Sequence, residues 1–503
     1  MGIGELQAAG ARRLSALDAG FLYLERSELP LAIGNVSIFD GMIPFDRLVK
    51  SIEARLDLLP HHRQTVMRPP WDLARPVWRD DPHFDIRRHI LRVTLDTPGT
   101  PADLRALAGH IYSEPLDRGK PLWELYLVEG LAGGRSALIT KVHHAMVDGL
   151  AGVRLMEAMM DPRPGQRKPP PPKPYRPSPR PERLRLWLDS AAGAWEQTLQ
   201  GVTESQKTLL EMWARLRRDF RAPEGFRELG GWLAGLAAPP ERLPFNRPCG
   251  RERHVAWCEF SCAEVADIRA ACGGTVNDVV LAVLTGALRQ YLQLHHETVK
   301  NRFCRVIVPV SVRCGGDGQA AGNRVSIWPL NLPLEVAGPV DRLHMVTRRT
   351  EAMKRLPVAE AISLFTAWAD IVPAPLQALL SAVPFLSTSF PVYNILCTNV
   401  PGPRAPLYLC GRRMLTCYPH VPTGYDAGVS LAVESYYDKL YFGLTVDPQA
   451  APDGERLKKL LEVSLAELRK AAGVPSRGRR HRPGLITRSR HQRAEQVRGD
   501  HGE

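Results

Sequence analysis

The sequence contains no pair of cysteines with the CxxC spacing of a metal motif, although it has nine cysteines in 503 residues. An odd number of cysteines in so long a chain argues against a disulfide framework and favours reduced thiols in the cytoplasm. Cys258 and Cys262 lie four residues apart, but no second pair matches them, so we expect no metal site. The chain also opens without a basic and then apolar segment, and we therefore expect no secretory signal peptide.

Long apolar runs are missing as well. Residues 371–403 contain no charged side chain, but prolines interrupt this segment repeatedly. No uninterrupted stretch reaches the ~20 apolar residues that a membrane-spanning helix needs. We expect no transmembrane helix, and the segment is better interpreted as a pocket lining or as a face that rests on lipid.

Positive charge is concentrated in two segments of a chain whose net charge is +13 at pH 7. Residues 163–185 hold eight basic residues and one acidic residue, and residues 477–503 hold eight arginines and three acidic residues. Such segments are usually solvated, and attraction to acidic lipid headgroups is the alternative. The tail has no interleaved aromatic residues, so we expect no nucleic-acid partner.

Proline marks the division of the chain. Nine prolines between residues 164 and 181 cannot sustain a helix or a central strand. We predict an N-terminal lobe over residues 1–161, a basic, proline-rich linker with amphipathic helices over 162–240, a C-terminal lobe over 241–474, and an arginine-rich tail, expected to be disordered, over 475–503.

The most informative segment is HHAMVDG at residues 143–149. An apolar and β-branched segment precedes it and predicts a strand, and apolar residues at helical spacing follow it. The motif therefore lies at a strand-to-helix corner, where side chains can face a cleft. Because neighbouring side chains of a strand point to opposite faces, His143 and His144 should not both reach one substrate. We expect one to act as a base and the other to support it, while Asp148 holds the turn and Gly149 permits the bend.

Two further His–His pairs, His61–His62 and His295–His296, have no Asp-Gly at the same offset. For these residues we expect ordinary packed or surface positions.

HHAMVDG resembles the HHxxxDG signature of CoA-dependent acyltransferases of the chloramphenicol acetyltransferase-like superfamily, which peptide-synthetase condensation domains share. Three further segments are similar, in the same order, to the PLW, ND and SNVPGP motifs of the bacterial wax ester synthase/diacylglycerol acyltransferase family. They are Pro121-Leu122-Trp123, Asn277-Asp278 at a predicted helix start, and Thr398-Asn399-Val400-Pro401-Gly402-Pro403. Thr398 replaces the usual serine, which is a conservative departure. The similarity extends from about residue 14 to about residue 470.

The resemblance implies an α/β protein of two chloramphenicol acetyltransferase-like lobes, with mixed sheets flanked by helices and an active-site tunnel between the lobes. It implies that His144 removes the proton of an acceptor hydroxyl, and that Asp148 forms an ion pair with an arginine of the other lobe. Arg313, at the end of an apolar segment, is our candidate for that arginine. Asn277 and Asp278 belong to a family motif, but helix capping explains them equally well.

The chemistry implied is ester formation from a thioester. A neutral imidazole is a suitable base near pH 7. The thiolate leaves readily, so we expect no cofactor and no metal, and acyl-CoA is a substrate. No GxSxG elbow surrounds any serine, which argues against a serine acyl-enzyme.

The resemblance thus predicts an enzyme that makes triacylglycerol from diacylglycerol and long-chain acyl-CoA, with fatty alcohols as a second acceptor giving wax esters. We expect it in the cytoplasm, on the inner face of the plasma membrane or on lipid inclusions. The alternative is a lipid-surface-binding protein with an inactive acyltransferase fold. A condensation domain is a third interpretation, although the chain has no room for a carrier or adenylation domain.

Overall fold

A computed structural model describes residues 12–69, 72, 74–147, 149–165, 175–178, 202–211, 213–214, 240–311, 325–355, 371–372, 376–377, 379 and 393–475. Asp148, Arg313, most of the predicted linker and all but the first residue of the predicted tail lie outside these ranges. The predictions made for them stay predictions.

Helices and strands alternate through the first half of the chain. In order they are β1 Arg12–Arg13, α1 Ala16–Leu24, β2 Ala32–Phe39, α2 Phe45–Glu53, β3 Gln64–Met67, β4 Val77–Asp80, β5 Ile90–Gly99, α3 Pro101–Ser113, β6 Trp123–Leu131, β7 Arg135–His143 and α4 Gly149–Met159. A helical segment also covers residues 202–211.

The second half repeats the mixture. Its elements are β8 His254–Ser261, α5 Cys262–Cys272, α6 Val276–Leu294, β9 Phe303–Ser311, β10 Val325–Pro333, α7 Pro339–Arg355, β11 Ile395–Val400, β12 Tyr408–Leu409, β13 Arg412–His420, β14 Val429–Tyr436, β15 Lys439–Val446 and α8 Arg456–Ala471.

Two six-stranded sheets organise the molecule, together with a small sheet of order β1-β4-β3. The first large sheet has the order β12-β13-β2-β7-β6-β5, and the second has the order β10-β9-β11-β14-β15-β8. Both are mixed, because β5 runs parallel to β6 and β11 runs parallel to β9 and β14. Strand β7 lies between β2 and β6 and is buried along almost its whole length, including the polar residues Lys141 and His143.

Strand β13 joins the two halves of the chain. It lies in the predicted C-terminal lobe by sequence, yet it pairs with β2 of the first sheet, from Met414 opposite Phe39 to His420 opposite Gly34. This pairing covers an edge of β2 that would otherwise leave backbone groups unpaired. The predicted lobe boundaries at residues 161 and 241 therefore stay predictions from the sequence. In the structure, one strand from beyond residue 241, β13, belongs to the sheet of the first lobe.

The largest apolar core lies between the second sheet and helices α5 to α8. Helix α6 is buried over most of its length. Among the described residues, no single helix is long and apolar enough to cross a membrane; α5 and α6 together meet the length and composition test, but they meet at 95°.

Candidate active site

The HHAMVDG corner is fixed by backbone hydrogen bonds to neighbouring strands. The His143 amide donates to the Leu122 carbonyl at 3.0 Å, and the His144 amide donates to the Leu31 carbonyl at 2.9 Å. The Met146 amide donates to the His143 carbonyl at 2.9 Å and closes a turn. The backbone of both histidines is therefore held by these bonds.

The two histidines have different environments. His144 is half-buried on the wall of a cavity, and its ring stacks on Phe21 with 4.1 Å between ring centroids. His143 is fully buried, and its Nδ1 accepts a hydrogen bond from the Ala145 amide at 3.0 Å. Since Nδ1 accepts, the proton of the neutral His143 ring is on Nε2. That Nε2 lies 3.4 Å from Glu25 Oε1, which is an ion-pair distance without the alignment of a good hydrogen bond.

Glu25 supports the corner from the end of α1. Its Oε1 accepts the Leu31 amide at 3.0 Å, and its Oε2 lies 3.1 Å from the Arg118 guanidinium. Burial opposes the ionisation of Glu25, but His143, the Leu31 amide and Arg118 outweigh it and lower its pKa to about 2. An ionised carboxylate beneath His143 thus holds that ring in one tautomer and orientation.

The cavity beside His144 has a volume of about 720 Å³, within the range of small-molecule sites. Both large sheets contribute to it. The first lobe supplies an apolar wall that includes Phe21, Ile33, Leu125, Val142, Val153 and Met156. The second lobe supplies Ile307, Leu396, Val400 and Val433. An apolar cavity of this size suits the acyl and alkyl chains of lipids.

Two buried histidines also line this cavity. His420 is paired, because its Nδ1 lies 3.0 Å from Thr445 Oγ1 and its ring stacks on Tyr112 at 3.6 Å. His62 is 6% exposed, and neither of its ring nitrogens has a hydrogen-bond partner in the described parts of the chain. Burial, with a smaller contribution from neighbouring histidines, lowers the pKa of His62 to about 3, so the ring is neutral.

Glu434 is a third buried titratable group on the wall. Burial raises the pKa of this carboxyl to about 7, against the opposing effect of a hydrogen bond with the Cys417 thiol. Its Oε1 has no partner among the residues that the structure describes, and neither has Thr423 Oγ1 on the same cavity.

The PLW segment supports the site from the first sheet. Pro121, Leu122 and Trp123 are buried, and Trp123 also lines the cavity. The indole nitrogen of Trp123 donates to the His62 carbonyl at 2.8 Å, and its ring stacks on His89 at 4.5 Å. Leu122 contributes the carbonyl that accepts the His143 amide.

The Asn277-Asp278 pair lies in the first turn of α6, and neither residue lines the cavity. Asp278 Oδ2 accepts the Thr275 amide at 2.8 Å, and Thr275 Oγ1 accepts the Asp278 amide at 3.2 Å, which is a capping box. Asp278 Oδ1 also accepts a hydrogen bond from the Thr350 hydroxyl at 2.7 Å. The structure therefore gives Asp278 the geometry of a helix cap.

The third motif meets the second one. Asn399 Nδ2 lies 3.5 Å from Asn277 Oδ1, at the limit of a hydrogen bond. The Gly402 amide donates to Ser435 Oγ at 3.0 Å, and a Cβ at this glycine would lie 2.1 Å from the Ser435 carbonyl oxygen. Only glycine fits there, whereas Pro401 is exposed. Asn399 thus contacts the start of α6, and Gly402 packs closely on the end of β14.

No motif in the sequence marks Glu25, His62 or Glu434 as site residues. Glu25 directly follows α1, and its spacing in the sequence carries no signal. His62 was expected to be an ordinary residue. Glu434 stands in an apolar strand, where a carboxyl is unusual, and this contrast is the sequence signal that could have identified it.

Comparison with known proteins identifies the family. The sequence model of the wax ester synthase/diacylglycerol acyltransferase catalytic domain matches residues 14–280, and that of the family's C-terminal domain matches residues 321–469. The chain belongs to this family. A Mycobacterium tuberculosis protein of strain CDC 1551, named "putative diacylglycerol O-acyltransferase", is 33% identical over 475 residues and 91% of each chain. One of strain H37Rv, named "probable diacylglycerol O-acyltransferase tgs1", is 31% identical over 90% of this chain and 95% of its own.

Solved structures agree on the fold. The wax ester synthase/diacylglycerol acyltransferase of Marinobacter aquaeolei VT8 covers 92% of this chain and 100% of its own, with a TM-score of 0.62 and 26% identity. The starter condensation domain of rhizomide synthetase, solved with C8-CoA and Leu-SNAC, has a TM-score of 0.56 at 14% identity and covers 93% of this chain and 96% of its own. The predicted family and the predicted α/β fold with helices flanking mixed sheets are thus confirmed.

Proposed function

We propose that this protein transfers a long-chain acyl group from acyl-CoA to the free hydroxyl of diacylglycerol and forms triacylglycerol, with fatty alcohols as a second acceptor that gives wax esters. The observation that carries the proposal is the position of His144 at the HHAMVDG corner, on the wall of an apolar cavity between two sheets. The names of the mycobacterial relatives support the same activity.

The step needs one base. His144 takes the proton of the acceptor hydroxyl as its oxygen attacks the thioester carbonyl, and the new C–O bond forms. The tetrahedral intermediate collapses, the C–S bond breaks, and the thiolate of CoA takes the proton from the His144 imidazolium. The chain binds both substrates in one cavity, so the reacting atoms meet without a covalent enzyme intermediate. No metal or cofactor is required for this sequence of proton transfers.

His143 and Glu25 act by position. The Ala145 amide and Glu25 hold the His143 ring beneath the turn, and that turn carries His144. We further propose that Asp148 pairs with an arginine of the second half of the chain and fixes the other end of the corner, with Arg313 as the candidate. Both residues lie outside the described ranges, and a measured structure with the two side chains beyond hydrogen-bonding distance would remove this pair.

A product assay tests the activity. Radiolabelled palmitoyl-CoA is offered with diacylglycerol or with hexadecanol to the wild type, to His144→Ala and to His110→Ala, and the lipids are separated. His110 is exposed on α3 and serves as the control. We expect labelled triacylglycerol from the wild type and the control, and a fall of about 10²–10⁴-fold in His144→Ala.

Equal turnover in His144→Ala and the wild type would contradict the base assignment. No labelled ester with either acceptor from any folded variant would contradict the proposed activity and leave the lipid-surface-binding alternative.

The same proposal places the protein at a lipid surface in the cytoplasm, as a peripheral protein of the inner membrane face or of lipid inclusions. The basic excess of residues 477–503 supports this, because anionic headgroups attract clustered arginines. Truncation after Gly473 should reduce binding to anionic vesicles and leave turnover on detergent-dispersed substrate nearly unchanged. Unchanged vesicle binding would remove the role of the tail.

A further inference from the structure

His62 is a buried polar side chain on an apolar wall close to the catalytic corner. It lies in a short 3₁₀ turn, Pro60–Arg63, and its ring lies 5.6 Å from the ring of Trp123. Trp123 is the cross-strand partner of Val142, two residues before His144. All four side chains line the same cavity. The His62 ring therefore lies on the same cavity as His144, the proposed base for the acceptor hydroxyl.

The two ring nitrogens of His62 are not satisfied by the protein. A neutral imidazole carries one N–H donor and one acceptor. Neither nitrogen has a hydrogen-bond partner within the described part of the chain, although only 6% of the residue's surface is exposed. Buried polar groups without partners are rare in folded proteins. A buried donor without a partner favours the binding of a ligand that can accept a hydrogen bond from it.

The chemistry of the occupant follows from what could satisfy this ring. An acyl chain and the alkyl chain of a fatty alcohol offer no hydrogen-bond acceptor along their length. Diacylglycerol carries two ester carbonyls next to its free hydroxyl, and each can accept a hydrogen bond. Thr423 Oγ1 and Glu434 Oε1 are also unpartnered on this cavity among the described residues, which fits an occupant with several polar atoms.

We propose that His62 is a specificity-determining residue, whose ring N–H donates a hydrogen bond to an ester carbonyl of diacylglycerol and thereby favours glycerolipid acceptors over fatty alcohols. This inference rests on the proposed acyltransferase function and adds the residue that selects its acceptor. A site built to hydrogen-bond a substrate discriminates against an analogue without the matching group, because its own polar group is then left unpaired.

The test compares two acceptors in matched variants of the full chain. His62→Phe removes both nitrogens and keeps a planar ring. His62→Asn keeps an N–H donor. His61→Phe is the control, because it makes the same change at the neighbouring residue, whose half-buried ring does not line the cavity. The His61 Nδ1 lies 2.8 Å from Gln64 Oε1, and its Nε2 lies 3.1 Å from Arg12 Nη1.

The kcat/KM values for dioleoylglycerol and for hexadecanol, and the KM for palmitoyl-CoA, are measured for each variant. We expect His62→Phe to lower kcat/KM for dioleoylglycerol about tenfold, as for the loss of one hydrogen bond. Hexadecanol turnover and the KM for palmitoyl-CoA should stay nearly unchanged. His62→Asn should recover part of the loss, and His61→Phe should resemble the wild type.

An equal fall with both acceptors would overturn the proposal, and so would a rise in the KM for palmitoyl-CoA with either acceptor, since the ring would then face the CoA arm. Unchanged kinetics with dioleoylglycerol would overturn it as well. Hexadecanol turnover and a melting curve report folding, and His62→Leu takes the place of His62→Phe if the larger ring prevents folding. A wild type that makes neither ester would instead refute the proposed function.

Discussion

The wall of the cavity and the start of helix α6 both carry buried polar side chains, but the two regions differ in how far the hydrogen bonds of these side chains are satisfied within the protein. At the helix start, Asp278 receives hydrogen bonds from the Thr275 amide, the Thr275 hydroxyl and the Thr350 hydroxyl. On the cavity wall, His62 and Glu434 keep polar atoms without partners within the described chain. Asp278 belongs to a sequence motif, and His62 and Glu434 are polar residues in buried positions.

This difference separates two uses of a buried polar group. A group whose hydrogen bonds are complete within the protein stabilises the fold, and its removal costs free energy of unfolding. A group left incomplete on a cavity wall weakens the fold and is available to a ligand. The corner at His143 combines both uses, because Glu25 and the Ala145 amide hold one histidine so that the next one can face the substrate.

The largest change in stability is expected at Glu25. Glu25→Ala leaves His143 Nε2 and the Arg118 guanidinium without their carboxylate, and both Glu25 and His143 are buried. The N–H groups of His143, Leu31 and Arg118 then lose the carboxylate that they share. At about 1–3 kcal/mol for each buried group left unsatisfied, the free energy of unfolding should fall by about 3–5 kcal/mol, and the loosened corner should also lower kcat. Urea unfolding and product assays measure the two effects. A variant with wild-type stability would show that the pair does not hold the corner.

Glu434 should behave in the opposite way. Its pKa is about 7 in the folded protein, against an ordinary value of 4.5. Between these two pH values the unfolded chain loses the proton and the folded chain keeps it, so stability falls as pH rises from 4.5 to 7 and is constant above. Glu434→Gln removes this loss and should stabilise the protein by about 3 kcal/mol at pH 8.

The comparison of Glu434→Gln with the wild type is made by urea unfolding at pH 4.5 and at pH 8. The gain should be present at pH 8 and absent at pH 4.5. A destabilised variant at pH 8 would mean that the carboxylate is paired, and the contrast with Asp278 would fail.

Asp278 is expected to give the smallest change of the three. Asp278→Ala removes the carboxylate half of the capping box, which accepts the Thr275 amide, together with the Thr350 contact, and should cost about 2 kcal/mol of unfolding free energy. Asp103→Ala is the matched control, because Asp103 forms the equivalent capping box of α3 with Thr100 at an exposed position. Its loss should be smaller. An equal loss at both sites would show that burial and the Thr350 hydroxyl add nothing to the cap.

Much of the corner could be predicted from the sequence because it depends on near neighbours. The alternation of side chains along an extended segment predicts different environments for His143 and His144. A β-branched segment followed by apolar residues at helical spacing predicts the turn between β7 and α4. Capping types at Thr275 and Asp278 likewise indicate a helix start. Local patterns of this kind are complete within a few residues.

The other features depend on residues far apart in the chain. Strand β13 pairs with β2 across more than 370 residues, as in the Met414–Phe39 register. Glu25, at the end of α1, contacts His143 from 118 residues away, and the His62 carbonyl accepts the Trp123 indole N–H from 61 residues away. Periodicity gives no information on such contacts, so these residues became visible only in the folded structure.

The most direct test of the contrast measures kcat/KM for diacylglycerol and the midpoint of thermal unfolding in His144→Ala and Asp278→Ala side by side. If the cavity wall serves the reaction and the helix start serves the fold, His144→Ala should lose about 10²–10⁴-fold in kcat/KM with its midpoint retained. Asp278→Ala should have a lower midpoint, with kcat/KM retained at temperatures where it is folded. A folded Asp278→Ala that loses as much turnover as His144→Ala would contradict the account.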